Sequence, residues 1–99
     1  MKSTLYIQML LKYPIFVHSL RQCSPCITRQ ELIVAVFVRE GLYSSEIAER
    51  LHCSLRTVEN HRFRIRRKLG LDTSKNLADF LLELKGDDVE SMQSIQSVV

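Results

Sequence analysis

The chain has 99 residues, 45% of them hydrophobic and 25% charged, and its formal net charge is +3. This length suits one domain with a single core and leaves no room for a sensing domain of ordinary size beside it. Three cysteines, an odd number, favour a reducing compartment over a disulfide framework. The apolar run between residues 5 and 17 is interrupted by Gln8, Lys12 and Pro14, so we expect neither export nor a membrane partner, and a cytoplasmic location.

Two short helices are predicted at the N-terminus. Apolar residues recur at helical spacing over Lys2–Lys12, and Pro14 suits the first turn of a second helix over Pro14–Arg21. Residues 1–26 are therefore expected to form an N-terminal helical extension.

A central helix is predicted over Thr28–Glu40. Its apolar core, L-I-V-A-V-F-V, fits a buried strand as well as a buried helix, so the flanks decide between them. Thr28 and Glu31 form a capping-box pattern, and Gly41 follows the last apolar residue, as at a helix C-terminus. A shorter amphipathic helix is expected within Gly41–His52.

The stretch Ser54–Leu69 concentrates the positive charge of the chain. It holds six cations and one acid, which gives it a formal charge of +5, so the other residues sum to −2. On a helix, Val58, Ile65 and Leu69 share one stripe, which is the expected anchored edge. The opposite edge, within about 40 degrees of its centre, presents Arg56, Asn60, Phe63 and Arg67. Ser54 is the expected N-cap and Gly70 the expected stop.

A last helix is predicted to open at Asp72-Thr73-Ser74, with apolar residues at Leu77, Phe80, Leu81 and Leu84. Residues 85–99 are acidic and then rich in Ser and Gln, and we expect a flexible tail. The predicted fold is all-α.

The segments I27-T-R-Q-E-L, G41-L-Y-S-S-E-I-A-E-R-L, S54-L-R-T-V-E-N-H and I65-R-R-K-L-G-L resemble the LuxR-type helix-turn-helix domain of bacterial transcription regulators. The resemblance covers residues 27–84, and it implies a four-helix domain preceded here by one or two short helices. It further implies that the third helix of the domain, at residues 55–69, enters the DNA major groove and that the fourth mediates dimerisation. Three positions depart from the family pattern: Tyr43 replaces a Ser or Thr, Ile33 replaces an acid, and Ser74 replaces an Arg.

The resemblance maps the base-contacting positions of the family onto Glu59, Asn60 and Phe63, beside which Arg56 and Arg67 lie on the same edge. Arg can bond guanine, Asn adenine, and Glu can accept from cytosine, whereas Phe63 could contact a thymine methyl or pack against a neighbouring helix. Phosphate contacts are expected from the surrounding polar and basic residues: Ser54, Thr57, His61, Arg62, Arg64, Arg66 and Lys68. For the last helix, Ala78 and Leu82 lie off the apolar stripe and are the candidate homodimer interface.

Sequence-specific binding of double-stranded DNA and transcription regulation are the predicted function. One alternative is a module that docks to RNA polymerase or another regulator through the basic helix. Another is a thiol or zinc sensor through Cys23-Ser-Pro-Cys26, although a structural zinc would need two further ligands. No phosphate-cradling loop, nucleophile elbow or paired-histidine signature is present, so we expect neither an enzyme nor a cofactor nor a metal.

Overall fold

Six helices account for the regular structure of residues 2–84, the part of the chain that the computed structural model describes. They are α1 (Lys2–Lys12), α2 (Pro14–Cys23), α3 (Arg29–Arg39), α4 (Ser44–Leu51), α5 (Leu55–Lys68) and α6 (Leu77–Glu83). The described residues contain no strand, so the predicted all-α class is confirmed. The predicted flexible tail at 85–99 lies outside the described residues.

Helix α3 is the centre of the fold. Every residue from Leu32 to Val38 is buried, and α1, α4, α5 and α6 all pack against this helix. The Thr28 hydroxyl accepts the Glu31 N–H at 3.1 Å, while the Glu31 carboxylate accepts the Thr28 N–H at 3.0 Å. Gly41, at φ +96°, ends the helix in a conformation that favours glycine. These caps explain why an apolar run of strand-like composition forms a helix.

The N-terminal hairpin of α1 and α2 packs on the same core. Phe16 and Leu20 are completely buried. Tyr13 and Lys12 bond the Glu40 carboxylate at the end of α3, and the Tyr6 ring lies beneath the Arg29 guanidinium, 5.1 Å from its centre. Helix α2 ends at Cys23, two residues later than predicted, because the helical hydrogen-bond ladder continues to the Ser24 N–H, which bonds the Leu20 carbonyl.

Helices α4 and α5 form a helix-turn-helix. Helix α4 begins at Ser44, after the turn at Glu40 and Gly41, and ends at Leu51. Its C-cap is His52, which is left-handed at φ 55° and ψ 47°. The Cys53 N–H bonds the Ala48 carbonyl at 3.0 Å and closes the end of α4. Two residues, Cys53 and Ser54, then connect this cap to α5, so the relative orientation of the two helices is tightly constrained.

The last helix starts later than predicted. Asp72 does not cap it: its carboxylate accepts from the Ser74 N–H at 3.0 Å, the Ser74 hydroxyl at 2.6 Å and the Lys75 N–H at 3.2 Å, which fixes a separate turn. Asn76 is the true N-cap, since its side chain accepts the Asp79 N–H at 3.1 Å. The predicted opening at Asp72-Thr73-Ser74 is therefore wrong. Of the four apolar residues, Leu77 and Leu81 are buried, and Phe80 and Leu84 are half-buried.

Candidate nucleic-acid interface

Helix α5 is anchored along one side. Val58 and Ile65 are fully buried against the core, and α5 packs on both α3 and α4. At its N-terminus the Ser54 hydroxyl accepts the Thr57 N–H at 3.1 Å, as an N-cap does. At its C-terminus Gly70 adopts φ +70°, so the predicted cap and stop are both confirmed. The orientation of the helix, and hence of its free side, is fixed by this burial.

The free side of α5 carries the four side chains that the helical angles predict, together with Glu59, which the family resemblance adds. Five residues of this side are exposed: Arg56, Glu59, Asn60, Phe63 and Arg67. We call these five residues the outward face. The Phe63 ring is 60% exposed, and the Arg67 guanidinium lies 5.7 Å from its centre. This exposure places the ring on the outward face and not in a contact between helices.

Two of the predicted phosphate-binding cations are used within the domain. Lys68 Nζ forms an ion pair with Glu31 at 2.6 Å and donates to the Cys26 carbonyl at 3.1 Å. The Arg66 guanidinium donates to the Lys75 carbonyl at 2.7 Å and to the Asp72 carbonyl. Lys68 thus ties the last turn of α5 to the start of α3, and Arg66 ties it to the loop before α6.

Glu31 is the buried partner in the ion pair with Lys68. Glu31 is only 2% exposed, and burial by itself raises the pKa of a carboxyl group. The hydrogen bonds from Lys68 and from the Thr28 N–H, together with the charge of Lys68, outweigh that effect, and the pKa of Glu31 lies below its ordinary value. Glu31 therefore remains ionised, paired and bonded at neutral pH.

The remaining predicted phosphate contacts lie on the surface around the outward face. Ser54, Thr57 and Arg64 are exposed, and the Ser54 and Thr57 hydroxyls are 2.9 Å apart. His61 and Arg62 are half-buried. Arg62 lines a cleft together with Tyr43 and Ser44 of the α4 start and with Asn76 and Ala78 at the α6 start.

The two candidate dimer residues differ in exposure. Ala78 is half-buried, packs against the core and lines the cleft just described. Leu82 is 54% exposed. Of the two, Leu82 offers more apolar surface to a second copy.

The C-x-x-C cysteines lie apart from the outward face, in the connection between α2 and α3. Cys23 and Cys26 are exposed, and both are free thiols. Within residues 2–84, no group of three or more His, Cys, Asp or Glu side chains is arranged to hold a metal ion. No helix among the described residues is long and apolar enough to cross a membrane.

The roles of Glu31, Arg66 and Lys68 in bracing α5 were not anticipated from the sequence. Glu31 and Lys68 are 37 residues apart, and no local pattern predicts their pairing. The one signal in the sequence is the excess of cations at the end of α5, from which phosphate contacts are predicted for Arg66 and Lys68.

Comparisons with known proteins agree with this geometry. The pattern of the family described as "Bacterial regulatory proteins, luxR family" matches residues 25–81. The chain is 36% identical over 59 residues to the oxygen regulatory protein NreC of Staphylococcus aureus strains JH9, JH1 and Mu3. Each match covers 60% of this chain and 27% of the relative, so the chain spans about a quarter of the length of these curated relatives. No solved structure matches. Because the family pattern covers more than half of the residues and includes the helix-turn-helix of α4 and α5, the chain belongs to the luxR family of bacterial regulatory proteins.

Proposed function

We propose that this protein binds double-stranded DNA sequence-specifically by inserting α5 into the major groove. The observation that carries the proposal is the outward face: an amide, a carboxylate, an aromatic ring and two guanidinium groups stand exposed on a helix whose other side is buried. A major groove is wide enough to admit an α-helix and presents a distinct pattern of donors and acceptors for each base pair.

Within the outward face, the proposed roles follow from side-chain chemistry. Asn60 bonds the N6 and N7 edge of adenine, and Glu59 accepts from the N4 amine of cytosine. Phe63 contacts a thymine methyl group, with its ring held beside the Arg67 guanidinium. Arg56 and Arg67 donate to guanine O6 and N7.

Phosphate contacts position the helix without reading sequence. Arg64 is the strongest candidate because it is exposed and lies next to the outward face. Ser54 and Thr57 lie at the helix N-terminus, where a phosphate is favoured by the helix dipole, and His61 and Arg62 extend the same surface. We assign Arg66 and Lys68 primarily to bracing, since both already bond carbonyl or carboxylate oxygens of the domain.

The proposed active form is a homodimer in the cytoplasm. One helix-turn-helix makes few contacts, so two copies bound to two half-sites provide the affinity that a specific site requires. Leu82, with Ala78 beside it on α6, is the proposed contact between copies, because its side chain is the exposed large apolar group of α6.

Selection of bound sites from random DNA, followed by fluorescence anisotropy, tests this proposal. The selected duplex should bind more tightly than a scrambled one, and binding should weaken steeply with salt as counterions are released. The double variant Asn60→Ala with Arg67→Ala should lose most of the preference for the selected duplex. Lys12→Ala is the matched control, because it also removes one cation but lies on α1, which packs on α2 and α3.

Binding that is absent or insensitive to salt in the purified wild-type protein would refute the proposal. Pull-down of RNA polymerase by the same protein would then favour docking of the basic helix to polymerase.

A further inference from the structure

The Cys23-Ser-Pro-Cys26 loop presents two thiols to solvent while its backbone is held in place. Cys23 is the last residue of α2, and Cys26 directly precedes the buried Ile27. Ser24, between the two cysteines, is only 3% exposed, and its carbonyl accepts the Ile27 N–H at 3.2 Å. The loop is thus a short anchored segment with two accessible sulfur atoms.

The same loop contacts the last turn of α5. Lys68 Nζ donates to the Cys26 carbonyl at 3.1 Å and pairs with Glu31 at 2.6 Å. Glu31 in turn bonds the N–H of Thr28, two residues after Cys26. Residues 26–31 therefore hold Lys68 from two sides, and the position of the Cys26 peptide group is directly linked to α5.

We propose that Cys23 and Cys26 are a reversible dithiol–disulfide pair, oxidised by a peroxide, and that the disulfide weakens DNA binding by moving the Cys26 carbonyl away from Lys68. The proposal rests on the proposed function for its readout with DNA. A disulfide restricts the Cα separation and the dihedral angle about the S–S bond to narrow ranges. In the proposed disulfide form, closing the four-residue loop shifts its peptide groups, including the one that Lys68 contacts in the dithiol form.

The chemistry balances with the peroxide as the only oxidant. One thiol loses its proton, its thiolate attacks a peroxide oxygen, and the O–O bond breaks. With hydrogen peroxide, the leaving hydroxide takes up that proton, so a sulfenic acid and the first water are formed. The second thiol attacks the sulfenic sulfur, the S–S bond forms, and the second water leaves. The two sulfurs lose two electrons and two protons in total. A small thiol or dithiol reverses the reaction by exchange.

The test uses the full chain in a Cys53→Ala background, so that only the two loop thiols remain. After treatment with hydrogen peroxide, intact mass should fall by two hydrogen atoms, and thiol titration should show that both thiols are lost. Affinity for the selected duplex should fall by at least about fivefold, and dithiothreitol should restore it. The matched control carries Cys23→Ser and Cys26→Ser in the same background and should bind equally before and after treatment.

A third variant tests the route of the effect. In Lys68→Met, the oxidised and reduced forms should bind the duplex with equal affinity, because the contact that oxidation disturbs is already missing. Hydrogen exchange gives a readout that does not depend on DNA: amides of the last turn of α5 should exchange faster in the disulfide form than in the dithiol form.

Two results would overturn the inference. One is a loop disulfide that changes neither affinity nor exchange in α5. The other is oxidation that yields interchain disulfides or sulfinic acids instead of the loop disulfide. Failure of the reduced protein to bind any duplex would instead count against the proposed function, and hydrogen exchange would still decide whether the loop and α5 are coupled.

Discussion

At residue 43 a tyrosine occupies the N-cap position of α4. The Glu46 carboxylate accepts the Tyr43 N–H at 2.8 Å, as in a capping box, but the Tyr43 side chain makes no cap hydrogen bond and is 77% exposed. The sequence predicts this missing cap bond, because Tyr43 stands where the family pattern has a Ser or Thr hydroxyl. Helix α4 is therefore held at its N-terminus by Glu46 without the usual Ser or Thr.

Tyr43→Ser should raise the free energy of unfolding by about 0.5–1 kcal/mol, because the serine hydroxyl can accept the Glu46 N–H. Urea denaturation measures the change. Tyr43→Ala is the control, since it removes the ring without adding an acceptor. Equal stability of the Ser and Ala variants would show that the missing hydroxyl costs nothing at this position.

The last turn of α5 is joined to α3 by an ion pair with a buried carboxylate. Lys68 is the partner that keeps Glu31 charged, and the two residues join α5 to α3. Removing either partner should loosen the turn that carries Arg67, one residue before Lys68. Stability and the geometry of the outward face are linked at this point.

This pair predicts an acid-dependent loss of stability. The pKa of Glu31 is lower in the folded protein than in the unfolded chain, so the unfolded state binds the proton more tightly and acid favours unfolding. The contribution should be complete above the ordinary glutamate pKa of about 4.3 and should be lost as the pH falls through the lower folded-state value. Urea denaturation at a series of pH values measures it.

Glu31→Gln should lower the free energy of unfolding at pH 7 by about 1–3 kcal/mol and should flatten the acid limb of the stability profile. Glu49→Gln on α4, an exposed position, is the matched control. It should leave the free energy of unfolding at pH 7 and the acid limb nearly unchanged. An acid limb as steep in Glu31→Gln as in the wild type would mean that other carboxylates cause the loss.

The elements differ in how well their sequence predicts them, and the reason is physical. Local signals sufficed for the start of α3, where Thr28 and Glu31 cap each other, and for the outward face of α5, where the helical period separates buried from exposed positions. They failed for α6, because Asp72 can cap a turn as readily as a helix and the sequence does not distinguish the two. They also failed for Lys68, whose partner is distant in sequence and becomes its neighbour only after folding.

The N-terminal helices belong to the same hydrophobic core as the helix-turn-helix. Phe16 and Leu20 of α2 are fully buried in the same cluster as Leu32 and Ile65. The N-terminal helices are therefore part of the domain core, and substitutions in them should change the stability of the entire domain.

Phe16→Ala should destabilise the protein by about 3–5 kcal/mol, because it leaves a cavity in the shared core. Leu11 on α1 is 77% exposed, so Leu11→Ala should change the free energy of unfolding by no more than about 0.5 kcal/mol. Thermal unfolding followed by circular dichroism measures both, with a single transition expected for each. A small effect of Phe16→Ala, or a separate early transition, would show that the extension folds independently of the domain.

The base preference of Asn60→Ala tests the reading role of the outward face most directly. Bound sites are selected from random DNA with the wild type, with Asn60→Ala and with Arg64→Ala, and affinities are then measured on single-base variants of the selected site. Asn60→Ala should lose about 1–3 kcal/mol of discrimination at one base pair of each half-site and keep the preferences elsewhere. Arg64→Ala should weaken all duplexes alike and reduce the salt slope by about one. A profile that Asn60→Ala leaves unchanged, or an equal loss on every sequence, would contradict direct reading of DNA by α5.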